Sequence, residues 1–240
     1  MLKSDSPESN SERFSRRAWM RGAAATSLAL AVLSPHVCSG QGANSIESPP
    51  DTPDDALAAL YAGNKRFSTG QSIAAHRDMD RVKAIAPKQT PLAAFLGCAD
   101  SRVPIEMVFD QGFGDLFVTR IAGNVATSEN IGSLEFGTLL LGAKVLFVLG
   151  HTSCGAVAAT LQGAEVPGQI SGLFQHIRPA VRVAKGNLDF AVEENVRNQA
   201  QILAESSPVI ARLVKDGRLK VAGGVYDLAS GIVKPVAVGV

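Results

Sequence analysis

Cys98, His151 and Cys154 are the residues of this chain best suited to chemistry. His151 and Cys154 lie three apart in Gly150-His151-Thr152-Ser153-Cys154-Gly155, where the apolar run Lys144 to Leu149 stops and a helix-like run begins. A His and a Cys at that spacing in a strand-to-helix turn can both point at one ion. Cys98 follows a second apolar run, Pro91 to Leu96, in Gly97-Cys98-Ala99-Asp100-Ser101-Arg102. Two thiolates and one imidazole make a zinc ligand set, and three protein ligands leave the fourth tetrahedral position free, as in catalytic zinc sites. A single buried Cys is more often a small hydrophobe. The metal reading rests on the three residues together with their neighbours.

Those neighbours are Asp100 and Arg102. An arginine two residues beyond an aspartate can grip its carboxylate with two parallel hydrogen bonds and keep it ionised. An Asp so held can accept a hydrogen bond from zinc-bound hydroxide, which zinc supplies by lowering the pKa of its water toward about 7. Released from Arg102, Asp100 could instead swing onto the metal. Cys154 is placed at the amino end of a helix, which lowers a thiol's pKa, so it is expected to bind as thiolate.

The elements that must position these groups are short strands alternating with helices. Asp51-Thr52-Pro53-Asp54-Asp55 reads as a helix start, followed by Ala56, Leu57, Leu60, Tyr61 and Phe67 near helical spacing. Ser68 to Lys88 is polar and broken by Gly70 and Pro87. Strands are expected at Leu92 to Gly97, Leu116 to Thr119, Lys144 to Leu149, Lys220 to Tyr226 and Ile232 to Val238. Helices are expected at Pro104 to Phe109, at Asn130 to Leu141 with Leu134, Phe136, Leu139 and Leu140 in its core stripe, at Ala156 to Leu161, and from Ser171 to about Val214 with Pro179 marking a break or start. The alternation predicts an α/β fold, a mostly parallel central sheet flanked by helices, with an N-terminal helical arm. In such sheets reactive groups gather at the carboxyl ends of strands, where Cys98 and His151 fall.

The chain has 240 residues with 46% hydrophobic, enough for one substantial globular core. A net charge of +1 gives no electrostatic case for nucleic acid. Three cysteines are too few for a disulfide framework, although Cys98 and Cys154 could pair in an oxidising compartment. His36, His76 and His176 have no ligand spacing and are expected at the surface. Residues 1–40 read as an export signal. Ser15-Arg16-Arg17-Ala18-Trp19-Met20-Arg21 precedes the moderately apolar Gly22 to Leu33 and small residues at Ser39-Gly40, and the paired arginines resemble a twin-arginine signal. Residues 41–53 read as a linker, and 54–240 as the folded domain. Export to the periplasm, with no stable membrane insertion after processing, is the expectation, since no later apolar run reaches about 18 residues.

Cys98-Ala99-Asp100-Ser101-Arg102-Val103-Pro104 together with His151-Thr152-Ser153-Cys154-Gly155 resemble the motifs of β-class carbonic anhydrases. The resemblance extends to Ala59 through Phe67, similar to that family's N-terminal helix. It includes Leu116 through Asn124, similar to its central strand and loop, and Val225-Tyr226-Asp227-Leu228 with Gly231, similar to its C-terminal hairpin. It implies reversible hydration of CO2 to bicarbonate and a proton, with one Zn2+ per subunit held by Cys98, His151 and Cys154. Asp100 and Arg102 match the catalytic dyad, and Gln89, Phe117 and Gly155 match substrate-binding positions. It also implies a homodimer or a multiple of dimers, with Gln89 and Phe117 facing the neighbouring subunit's zinc. One subgroup, regulated by bicarbonate, carries Trp three residues before the first Cys ligand. Phe95 stands there instead, so the unregulated form is expected. Rival readings are hydrolysis of carbonyl sulfide or carbon disulfide on the same scaffold, a zinc- or bicarbonate-binding protein without turnover, and a redox protein using the two cysteines.

Overall fold

The computed structural model describes residues 50–240, so the expected export signal and most of the expected linker lie outside the described residues. Five strands form one sheet in the order β2-β1-β3-β4-β5: β1 (Ala93–Gly97), β2 (Leu116–Arg120), β3 (Val145–His151), β4 (Lys220–Tyr226) and β5 (Val233–Val236). The first four are parallel and β5 returns antiparallel to β4. Around it lie α1 (Pro53–Ser68), α2 (Met79–Ile85), α3 (Ile105–Val108), α4 (Ser128–Glu135), α5 (Gly155–Leu161), α6 (Ile170–Ala184), α7 (Leu188–Ser206) and α8 (Pro208–Lys215). No helix among the described residues is long and apolar enough to cross a membrane.

Alternating residues of the central strands feed two cores, as a sheet covered on both faces requires. Ala94, Leu96, Leu146 and Val148 join buried residues of α4 to α8, while Ala93, Phe95, Val145, Phe147 and Leu149 join those of α1 and α3. Phe95 is fully buried and stacks on Phe147 with ring centres 5.2 Å apart.

The N-terminal arm packs on this second face. Thr52 caps α1 by accepting from the Asp55 amide, Pro53 opens the first turn, and Ala56 and Leu60 are fully buried. Asn64 ties the arm down: its amide donates to the Val108 and Gly231 carbonyls and its oxygen accepts from the Val233 amide. The helix runs so close to α3 that a Cβ at Gly63 would lie 1.9 Å from the Phe109 carbonyl oxygen.

Two expectations are corrected and one helix is added. The helix expected over Asn130 to Leu141 is α4 followed by a π-helical segment, Phe136–Leu140. Only Leu134 of the expected stripe is buried, and Phe136, Leu139 and Leu140 are exposed. The wider π turn rotates side chains off the 3.6-residue period on which that stripe was drawn. Pro179 lies inside α6 and does not break it, because Ile177, Ala180 and Ala184 keep the helix seated on the core. The polar stretch Ser68 to Lys88 contains α2, which has no buried residue and hence no apolar stripe to read.

What holds that stretch is charge. Arg81 donates to the Phe113 carbonyl and to Asp115 (3.0 Å), and His76 Nδ1, expected simply at the surface, lies 2.8 Å from Asp115. Asp110, its carboxylate fully buried, accepts from Arg66 Nε (2.7 Å) and from the Ile73 and Ala74 amides. Burial alone would raise the Asp110 pKa, but these donors outweigh it and hold the carboxyl below its ordinary value. A depressed folded-state pKa stabilises the fold above the unfolded value of about 3.9, and that contribution is lost as pH falls through the folded value. Asp110→Asn is therefore expected to destabilise the protein by about 1–3 kcal/mol at pH 7, below the range for a fully buried pair because Arg66 is one third exposed. Denaturant unfolding across pH should show the gap to wild type closing below about pH 4; a gap that is constant with pH would contradict this.

Candidate metal centre

The parallel register brings the two turns together. Gly97, the last residue of β1, pairs with Leu149 of β3, so Cys98 leaves the sheet level with the end of β3. β3 does not stop at Leu149 as expected. Gly150 and His151 keep pairing with Val225 and Tyr226 of β4 and carry His151 to the strand's carboxyl end. Ser153, left-handed at φ 55°, then turns the chain so that Cys154 precedes α5. As a result Cys98 Sγ, a His151 ring nitrogen and Cys154 Sγ all lie within 4.8 Å of one another, and all three residues are buried. Both cysteines are free.

The histidine is prepared for a metal. His151 Nδ1 lies 2.9 Å from the Thr152 carbonyl oxygen, a contact that makes Nδ1–H the donor and leaves the Nε2 lone pair available. Thr152 is itself fixed, its amide donating to the Tyr226 carbonyl and its hydroxyl accepting from the Leu228 amide. His151 is completely buried, yet Nε2 has no hydrogen-bond partner. An unpaired buried nitrogen is costly, and beside two sulfurs it is what a tetrahedral N/S ligand set for zinc requires.

The charges agree. Hydrogen bonding from Cys154 pulls the Cys98 thiol down to about 4 against the burial penalty, with the Gly123 amide assisting at 3.3 Å. The Cys98 anion in turn pushes the Cys154 thiol up, overriding the α5 amides that act to lower it. The two adjacent sulfurs thus share a proton between them. A divalent cation takes the place of that proton, because ligand thiols bind deprotonated. Burial favours a neutral His151 ring, but the adjacent Cys98 sulfur, by contact and by charge, outweighs it and raises the pKa, with the Thr152 carbonyl and then Asp100 assisting.

Asp100 and Arg102 form the expected grip. Arg102 Nε donates to Asp100 Oδ1 (2.9 Å), Nη2 to Oδ2 (2.8 Å), and the Arg102 amide adds a third bond to Oδ1 (2.9 Å). The Arg102 hydrogen bonds hold the Asp100 carboxyl far below the usual carboxylate range. Asp100 Oδ2 is 3.8 Å from His151 Nε2, so the gripped carboxylate borders the ligand cluster. Gly155 stands beside Cys154 facing open space: an added Cβ there would meet nothing within 4 Å.

Gln89 and Phe117 are not brought to this cluster. Gln89 is exposed and lines a separate cavity of about 530 Å3 with Ile85, Thr90 and Leu140. It precedes the amino end of β1, whereas Cys98 follows the carboxyl end, and the two ends of that five-residue strand lie about 17 Å apart. Phe117 packs its ring over Gly137 and near Phe136.

Two contributors went unassigned at the sequence level. Arg120 donates to the Cys98 carbonyl (2.9 Å) and the Asp100 carbonyl (2.5 Å), fixing the turn that carries both side chains. Gly123 donates its backbone amide to Cys98 Sγ. Arg120 ends β2, but its targets are main-chain carbonyls, and the Gly123 backbone donor leaves no side-chain signal at all.

Comparison with known proteins places these residues in one family. The carbonic anhydrase family profile matches residues 93–233. Carbonic anhydrase 2 of Mycobacterium tuberculosis is 35% identical over 191 residues, covering 76% of this chain and 92% of the relative. Among solved structures, the β-carbonic anhydrase CafA of Aspergillus fumigatus superposes with a TM-score of 0.63 at 25% identity, covering 77% of this chain and 92% of its own. A structure of two tetrameric β-carbonic anhydrases from Sordaria macrospora superposes with a TM-score of 0.60 at 21% identity over 77% of this chain and 96% of its own.

Proposed function

This chain belongs to the β-class carbonic anhydrases, lyases that hydrate CO2, and from that premise we propose how its residues do so: Cys98, His151 and Cys154 hold one zinc ion per subunit, and Asp100 with Arg102 orients the attacking water. The observation that carries the proposal is the convergence of two sulfurs on a buried imidazole nitrogen with no other partner.

Zinc in this ligand set supplies the Lewis acidity that makes water a nucleophile near neutral pH. The chain's own residues supply orientation. Thr152 holds His151 in the tautomer with a free Nε2 lone pair. Arg102 occupies Oδ1 twice and one side of Oδ2 and keeps the Asp100 carboxylate ionised, while the remaining lone pair of Oδ2 can accept a hydrogen bond from the attacking water. That bond fixes the direction of the oxygen lone pair toward carbon, the positioning that makes an encounter productive. The open space at Gly155 leaves room for a small linear substrate beside Cys154.

Gln89 and Phe117 serve the site of a neighbouring subunit in a homodimer or a multiple of dimers. Supporting this are the distance of Gln89 from the cluster in its own subunit, the exposed apolar Phe136, Leu139 and Leu140, and the tetrameric assembly of the Sordaria relatives.

Stopped-flow CO2 hydration at pH 8 by the zinc-loaded protein tests the assignment. Turnover well above the uncatalysed rate is expected; a zinc-loaded protein without it overturns the reading. Carbonyl sulfide consumed faster than CO2 would favour the hydrolase alternative.

A further inference from the structure

Gly123 is held from both sides. Its amide donates to Cys98 Sγ (3.3 Å), and its carbonyl accepts from Asn195 Nδ2 (2.8 Å). Asn195 and Gln199 lie four apart on α7, on one face of the helix, exposed by 1% and 0%. Gln199 Nε2 donates to Asn195 Oδ1 (3.1 Å) and to the His176 carbonyl of α6 (3.1 Å), and its Oε1 accepts from the Ala126 amide (2.8 Å). The two side chains thus grip the segment 123–126 at both ends.

Burying two amides carries a desolvation cost that apolar side chains of the same volume would avoid. What the amides add is direction. Gly123 and Asn124 are both left-handed, at φ 76° and 44°, and a Cβ at Gly123 would meet Ile177 Cδ1 at 2.7 Å. A local turn, closed by the Asn124 amide donating to the Ile121 carbonyl (2.9 Å), sets the bend with Gly123 at its left-handed position, and the Asn195 bond to the Gly123 carbonyl adds a tertiary hold on the segment that carries the Gly123 amide. A backbone N–H on a thiolate is a charge-assisted bond that stabilises the anion and moderates its donation to a metal.

We infer that Asn195, braced by Gln199, is a positioning residue for the metal centre: it fixes the Gly123 amide on the Cys98 sulfur and so governs how tightly the centre holds its ion. This rests on the zinc reading above, and it concerns residues on an element that contributes no ligand.

The test uses two readouts on the full chain: the rate of zinc release to a chelator, and the sulfur-to-metal charge-transfer band of the cobalt(II)-substituted protein. Asn195→Leu, branched in the same way but unable to donate, should release zinc about tenfold faster and shift the band. Gln199→Glu keeps an acceptor for Ala126 and removes the donor to Asn195; it should move both readouts the same way by less, and covers the case in which Asn195→Leu does not fold. Ser207→Ala removes the buried hydroxyl that caps α8 and donates to Glu135, and is the control for lost stability alone. It should leave release and band as in wild type. Variants at Asn195 and Gln199 that melt earlier with unchanged release and band would overturn the inference and leave the zinc reading intact. A wild-type protein that binds no zinc would overturn the zinc reading itself, and the inference with it.

Discussion

Cys98→Ser and His151→Ala are each expected to yield a folded protein that does not retain zinc. Purified through a chelating buffer, either variant should fall from about one zinc per subunit to below about a tenth, measured by elemental analysis. The reason lies in the ligand count. Three protein groups converge here, and removing one leaves two, too few to compete with a chelator. Serine at 98 is isosteric, but its hydroxyl does not ionise near neutral pH. Cys98 is also the sulfur to which the Gly123 amide donates (3.3 Å). His151→Ala removes the one ligand nitrogen, which the fold keeps unpaired and buried for this purpose. Retention of a full equivalent of zinc in both variants would show that the metal sits elsewhere.

Asp100→Ala is expected to keep its zinc and lose most of its activity, with kcat/KM for CO2 hydration falling by about 10²- to 10³-fold. Asp100 is not one of the three converging ligand residues, so the site should load normally. What disappears is the acceptor that orients the attacking water. Arg102 loses its partner, but its side chain is 56% exposed and solvent can take over, so the melting temperature should barely move. Zinc content, melting temperature and kcat/KM measured on one preparation separate this from the ligand variants, which lose metal and activity together. Undiminished kcat/KM would remove Asp100 from the mechanism.

The candidate site was legible largely because its ligands are chemically uncommon residues set in turns next to apolar runs. Cys98, His151 and Cys154 announce a metal by type and spacing, and Asp100 with Arg102 announces a gripped carboxylate. The strands were legible for a related reason: β1 and β3 are buried on both faces and read as unbroken apolar runs. Elements without such runs were harder. α2 buries nothing and is held by Arg81 and Asp115 from different parts of the chain. Phe136, Leu139 and Leu140 look like core in one dimension, and only the π turn shows that they point outward.

The sequence by itself determined which atoms would do the chemistry: two sulfurs, one imidazole, one carboxylate and one guanidinium, each within a few residues of a strand end. It also determined the layered α/β plan, since strands and helices alternate with the periods each requires. Only the tertiary structure decided which His151 nitrogen is free and which backbone amide meets the Cys98 sulfur. Those depend on the Thr152 carbonyl and on the turn that carries Gly123, which lies 25 positions from Cys98 along the chain. Hydrogen-bond direction and local electrostatics depend on distances in space, and residue order constrains them only through the fold that brings such groups together.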